Sequence, residues 1–189
     1  AIGPETSGWF RREITSLDQL KGLKMRFFGL GAKVMQKLGV STQLLAPADI
    51  FPALERGVID ATEFSMPAMD IKQGFHQVAK FNYFPGWHQP HTAFHLIVHK
   101  PTWDALPPAT RELIELACGD GVQRNFAKAE AAQGAVLRGF EAQGVTTQTL
   151  SPALLAALEG AVEEVLDAAA AGDSDFARIL AHQRAFHAV

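Results

Sequence analysis

Leu20-Lys21-Gly22-Leu23-Lys24-Met25-Arg26, then Gly39-Val40, then Ala53-Leu54-Glu55-Arg56-Gly57-Val58-Ile59-Asp60-Ala61-Thr62-Glu63 decide how this chain folds. Leu23 to Phe28 and Val58 to Thr62 are short apolar runs that read as buried strands. Between them, Gly29 to Leu38 has helical spacing and stops at Gly39, Ser41 to Ala46 reads as a further strand, and a helix entered at Pro47 carries Ile50, Phe51 and Leu54 on one face. Strands alternating with helices over short connections argue for an α/β sheet. Arg26 and Glu63 each close one of these strands. A charge ending a buried strand needs a partner, because an unpaired buried charge costs several kcal/mol.

Working outward, Trp9 to Ile14 reads as a loop or edge strand behind a Gly/Pro-marked start. Met66 to Ala79 reads as one helix entered through Pro67, and Lys80 to Phe84 as a strand stopped by Pro85-Gly86. Thr92-Ala93-Phe94-His95-Leu96-Ile97-Val98-His99 is rich in β-branched and aromatic residues and predicts another strand. From Pro108 an approximate helical period runs to Gly144, predicting one long helix kinked near Gly119-Asp120-Gly121. Val145 to Leu150 then predicts a strand, and Pro152 to Ala171 and Phe176 to Ala188 predict two amphipathic helices.

Length and composition narrow the function. The 189 residues, 48% of them hydrophobic, suffice for a substantial core, and a net charge of -3 with both signs dispersed gives no basic stripe for nucleic acid and no polybasic membrane anchor. The single cysteine, Cys118, excludes an intrachain disulfide and a cysteine-rich zinc site. The Ala-rich runs are broken by charges, so no bilayer span is expected, and no charged and apolar leader precedes Ala1-Ile2-Gly3-Pro4. There is no nucleophile elbow and no phosphate loop, and Gly29-Leu30-Gly31 lacks the rest of a dinucleotide fingerprint. No enzyme is expected.

The quoted motifs, with Tyr83-Phe84-Pro85-Gly86-Trp87-His88 and Lys100-Pro101-Thr102-Trp103-Asp104-Ala105-Leu106-Pro107, resemble the periplasmic solute-binding proteins of tripartite ATP-independent periplasmic (TRAP) transporters. The later two runs are similar to the branch that binds 2-oxo and 2-hydroxy monocarboxylates. The resemblance implies a periplasmic-binding-protein-like α/β lobe with a mixed sheet flanked by helices, most of the first lobe of the family pattern lying outside this chain. It implies residues 1–63 as the first part of the carboxylate-binding lobe and 64–91 as a crossover belonging to the other lobe. Residues 92–150 would be its second part with a hinge helix, and 151–189 C-terminal helices suited to a homodimer. It further implies a periplasmic location, a small monocarboxylate ligand and delivery to a membrane permease.

Site residues follow in the same terms. From the residues alone Arg26 is either half of an internal salt bridge with Glu63 or, as a planar donor fork, a grip for a carboxylate; the resemblance selects the second. The resemblance also implies a cation, Na⁺ or Ca²⁺, held by Glu63, the backbone carbonyl of Phe64 and Glu5, which stands where many relatives carry glutamine. Phe64 replaces the branch's usual tryptophan. Glu5 also reads as an ordinary exposed glutamate. Phe64 is the aromatic residue expected to wall the pocket, and His88 is a candidate hydrogen-bond donor to the ligand. His88, His91, His95 and His99 would line one face of a helix, which Pro90 and the strand-like segment after it argue against. The alternative functions are a ligand-free dimerisation module and, behind it, a histidine-dependent metallohydrolase.

Overall fold

A computed structural model describes residues 1–188. Six strands form one mixed sheet: β1 (Gly8–Phe10), β2 (Lys24–Arg26), β3 (Ser41–Gln43), β4 (Ala61–Thr62), β5 (Phe81–Tyr83) and β6 (Thr146–Gln148), in the order β3-β2-β4-β1-β5-β6. β2 runs parallel to β3 and β4, and β5 runs parallel to β6; β1 is antiparallel to both of its neighbours, with Trp9 opposite Thr62 and Asn82. The Trp9-Phe10 strand is therefore central, not an edge or a loop. All three of its residues are buried, as a strand covered on both faces requires.

Alternating side chains feed two cores. Phe10, Met25, Phe27 and Tyr83 pack on one face of the sheet beneath α1 (Gly29–Lys37) and α7 (Pro152–Gly172), which contributes Leu154, Leu158, Ala161 and Val165. Trp9, Ile59 and Phe75 pack on the other beneath α2 (Pro47–Glu55), which contributes Ile50 and Leu54, and the end of α6 (Pro108–Phe140), which contributes Phe140. The result is a helix-sheet-helix sandwich. Ser151 caps α7 through Leu154 N at 3.3 Å, and α8 (Ser174–His187), capped by Asp173, returns along α7 and buries Leu180.

Two expectations are corrected. Met66 to Ala79 is not one helix: α3 (Pro67–Asp70), a 3-10 turn and α4 (Phe75–Val78) are separated at Gly74, whose φ of 79° is left-handed. Among the described residues Thr92 to His99 forms no strand beyond a single bridge between Thr92 and Ile2, since no further strand pairs with it. Its Phe94 and Leu96 are exposed and Ile97 is 89% exposed. Within residues 64–91, β5 lies between β1 and β6 in this sheet. Residues 93–99, α5 (Lys100–Ala105) and the first two thirds of α6 bury no side chain, and the buried residues of α6, Gln133 and Phe140, lie in its last third. Helix α6 runs unbroken through Gly119 and Gly121. Among the described residues no helix is long and apolar enough to cross a membrane.

Candidate functional site

The C-terminal ends of β2 and β4 lie side by side, Arg26 opposite Thr62, and so bring Arg26 and Glu63 together. Arg26 Nη1 donates to Glu63 Oε2 at 2.9 Å and to the Glu63 carbonyl at 2.7 Å. Glu63 is fully buried and Arg26 is 7% exposed. The salt bridge therefore exists, yet it occupies one corner of the guanidinium. Arg26 Nε is buried without a hydrogen-bond partner among the described residues, so the Nε side of the fork carries no protein acceptor. The guanidinium lies 5.2 Å from the Phe28 ring centre and 5.6 Å from that of Phe64, so two aromatic rings flank it.

Glu5 is delivered to the same place by a backbone zipper. Glu5 N donates to Gln89 O, Thr6 N to Ser65 O, Ser7 N to Tyr83 O and Gly86 N to Glu5 O at 2.7 Å, stitching the segment between the end of β4 and the loop after β5. A Cβ at Gly86 would lie 2.7 Å from the Glu5 carbonyl, so this approach needs glycine. Glu5 is 5% exposed, which removes its reading as a surface residue, and its Oε1 accepts from Gln89 Nε2 at 2.9 Å.

His88 completes the group. Its Nε2 is 3.9 Å from Glu63 Oε1, and its ring stands edge-on to Phe27 with centres 4.9 Å apart. Donor atoms of Glu5, Glu63 and His88 all lie within 4.8 Å of one another, a spacing that one cation can bridge. Phe64 enters through its ring, packed edge-on against Phe75. His95 and His99 are exposed on the segment that leaves the lobe, so the four-histidine face does not form.

Asp70, which sequence reading did not single out, lies under the site. Fully buried, it accepts from Trp9 Nε1 at 2.8 Å and Thr6 Oγ1 at 3.1 Å, tying α3 to the Glu5 segment. Its only signal in the sequence is an acid inside the apolar run Met66 to Ile71. Burial pushes the Asp70 carboxyl up to about 7 against the Trp9 and Thr6 hydrogen bonds. Burial, with the charges of Glu63 and Asp70, pushes Glu5 to about 7 as well. Because each folded-state value lies above the ordinary 4.5 or 3.8, the folded protein binds more protons across that window and loses stability as pH rises through it. The thermal midpoint of chelator-treated protein is expected to fall between about pH 5 and about pH 8. Asp70→Asn, which keeps an acceptor for Trp9, should flatten that fall; an unchanged slope would remove Asp70 as its cause.

The profile of bacterial extracellular solute-binding proteins, family 7, matches residues 4–173. The chain belongs to this family. It is a family of binding proteins, not of enzymes. The monocarboxylate 2-oxoacid-binding periplasmic protein of Nostoc sp. is 34% identical over 186 residues, 98% of this chain and 51% of that protein. A TRAP transporter solute-binding protein of Bordetella bronchiseptica, with copurified calcium and picolinate in its active site, is 37% identical with a TM-score of 0.89 over 94% of this chain and 53% of that one. A TRAP periplasmic solute-binding protein of Pseudoalteromonas atlantica with bound sodium and pyruvate is 33% identical with a TM-score of 0.87 over 94% and 54%. This family 7 chain spans about half the length of the relatives it matches.

Proposed function

We propose that this chain is the carboxylate-gripping lobe of a TRAP solute-binding protein that captures a small 2-oxo or 2-hydroxy monocarboxylate in the periplasm for a membrane permease. The observation that carries the reading is the free Nε side of Arg26, buried beside Glu63 and flanked by Phe28 and Phe64. The ligand carboxylate would pair with this fork while a cation on Glu63, Glu5 and the Phe64 carbonyl takes the 2-oxygen. The donor set suits such a cation, since Glu63 Oε1 is buried with no hydrogen bond among the described residues. Support also comes from relatives that bind pyruvate or 2-oxoacids and from bound sodium or calcium in two of them.

An open cleft of about 740 Å³, lined by Ile2, Phe94, Leu96, Ile114 and Val122, is apolar and lacks Arg26. We assign it to packing against further chain rather than to the solute, in keeping with relatives twice as long. A lobe bared on that side encloses its ligand less completely, so its affinity is expected to be lower than that of a two-lobed relative.

Isothermal titration of chelator-treated protein with pyruvate and with lactate, with and without added Na⁺ or Ca²⁺, tests the reading. Heat that appears only with a cation is the expected result. A folded protein that binds neither acid in any of these buffers would overturn it.

A further inference from the structure

Resting on the carboxylate reading above, we infer that Gln133 is a positioning residue for the site: it latches the long helix α6 to the short helix α3, and through α3 couples the seating of α6 to the placement of Glu5 and Phe64. Helix α6 is 33 residues long, and Gln133, 6% exposed, is the first of its residues to be buried; Phe140 is the other. About two turns apart, the pair lies on one face of the helix. An anchor that only packed would be apolar, as Phe140 is. Gln133 instead engages both of its polar atoms: Oε1 accepts from Ala68 N at 3.0 Å, and Nε2 donates to Met66 Sδ at 2.8 Å and to Ala129 O at 2.9 Å. Ala68 stands in the first turn of the four-residue α3, where a backbone N–H has no acceptor within its own helix and the side chain of Met66, at the N-cap, supplies none. Helix α6 therefore caps α3 from the side.

A closed ring results. Gln133 holds the start of α3, Asp70 at the end of α3 accepts from Trp9 Nε1, and the Trp9 ring meets Phe140, back on α6. The backbone of the site is tied into the same ring. Asp70 Oδ2 also accepts from Thr6, the neighbour of Glu5, and Thr6 N donates to Ser65 O, between Phe64 and α3. A shift of α6 must open the ring or drag α3, and α3 carries the Glu5 and Phe64 segments with it. Before Gln133, α6 buries no side chain, so Gln133 is where a movement of that free stretch reaches the site. The coupling is reciprocal: a ligand that fixes Glu5 and Phe64 also fixes α6.

Titration calorimetry with pyruvate and Ca²⁺, together with the indole N–H resonance of Trp9 in acid-free protein, tests this in Gln133→Met and in Val165→Ala. The first keeps the length of the side chain and loses its hydrogen bonds to Ala68 and Ala129; the second is a destabilising control in the opposite core. Trp9→Phe assigns the resonance. Gln133→Met is expected to displace the Trp9 resonance and to weaken pyruvate binding at least about threefold, whereas Val165→Ala leaves the resonance in place and the binding within about 1.5-fold. Folded Gln133→Met with the wild-type Trp9 resonance would overturn the inference, as would an equal loss of pyruvate binding in Val165→Ala. Should Gln133→Met not fold, hydrogen exchange of the wild type decides. The Ala68 amide and the Trp9 indole are expected to be protected and to open together with one urea dependence, and an Ala68 amide that exchanges as freely as an exposed one overturns the latch. The two proposals fail separately. A displaced Trp9 resonance with no pyruvate heat from the wild type in any buffer removes the carboxylate reading alone, and equal pyruvate binding by wild type and Gln133→Met removes the latch alone.

Discussion

Arg26→Ala is expected to abolish detectable pyruvate binding and to destabilise the lobe, whereas Arg26→Lys should separate these two losses. In the wild type Arg26 Nη1 neutralises a fully buried Glu63 through two hydrogen bonds, to Oε2 and to the backbone carbonyl. Removing the guanidinium leaves that carboxylate facing Glu5 with no compensating charge, a situation that costs about 3–5 kcal/mol when one partner of a buried pair is deleted. Protonation of Glu5, already pushed to about 7 by burial and by Glu63, relieves part of the strain below neutrality. The loss should therefore be larger at pH 8 than at pH 6, a difference readable from urea midpoints. Lysine restores a positive charge near Glu63 but not the planar fork that spans Nε and Nη2. We expect it to recover most of the stability while holding pyruvate at least about tenfold more weakly. If Arg26→Lys binds pyruvate as the wild type does, the fork is not what grips the ligand.

How far the sequence disclosed this arrangement depended on whether the signal was local. Arg26 and Glu63 were legible because each charge closes an apolar strand, and the strand-helix-strand order forces those strand ends into register. Glu5 was reachable only through the resemblance, since nothing within the first seven residues announces burial; the zipper to Ser65, Tyr83, Gly86 and Gln89 that buries it is entirely long-range. His88 looked like a hydrogen-bond donor to ligand, and its place between Glu63 and Phe27 emerges only once the loop after β5 folds back over β2. Asp70 was missed because an acid in the first turn of a helix ordinarily serves the helix dipole in water.

Two elements failed for physical reasons of the same kind. Thr92 to Val98 has strong β propensity, but propensity reports fit to neighbouring strands, and only Ile2 offers an edge here. The break at Gly74 is a matter of φ, where a glycine inside an apparently helical pattern takes the left-handed conformation and lets Phe75 turn into the core.

Trp9→Ala carries the second large expected effect, because it acts on fold and site through one side chain. Trp9 is completely buried on the central strand, its ring meets Phe140 edge-on with centres 5.1 Å apart, and its Nε1 donates to Asp70 Oδ2. Truncation opens a cavity between β1 and the end of α6, for which about 3–5 kcal/mol is the ordinary cost. It also strips from Asp70 one of the hydrogen bonds that hold its pKa down, so the carboxyl moves further up and α3 loses a tether to β1. Trp9→Phe isolates that second part. It fills most of the space but cannot donate, and should cost about 1–3 kcal/mol through the unsatisfied acceptor. In a double-mutant cycle with Asp70→Asn, a coupling of about 0.5–3 kcal/mol is expected, and additive losses would mean that the indole acts by packing on Phe140 alone. The cation-binding stoichiometry of Trp9→Phe should stay that of the wild type, since Glu63 and His88 are positioned by β4 and by the loop after β5 rather than by the indole.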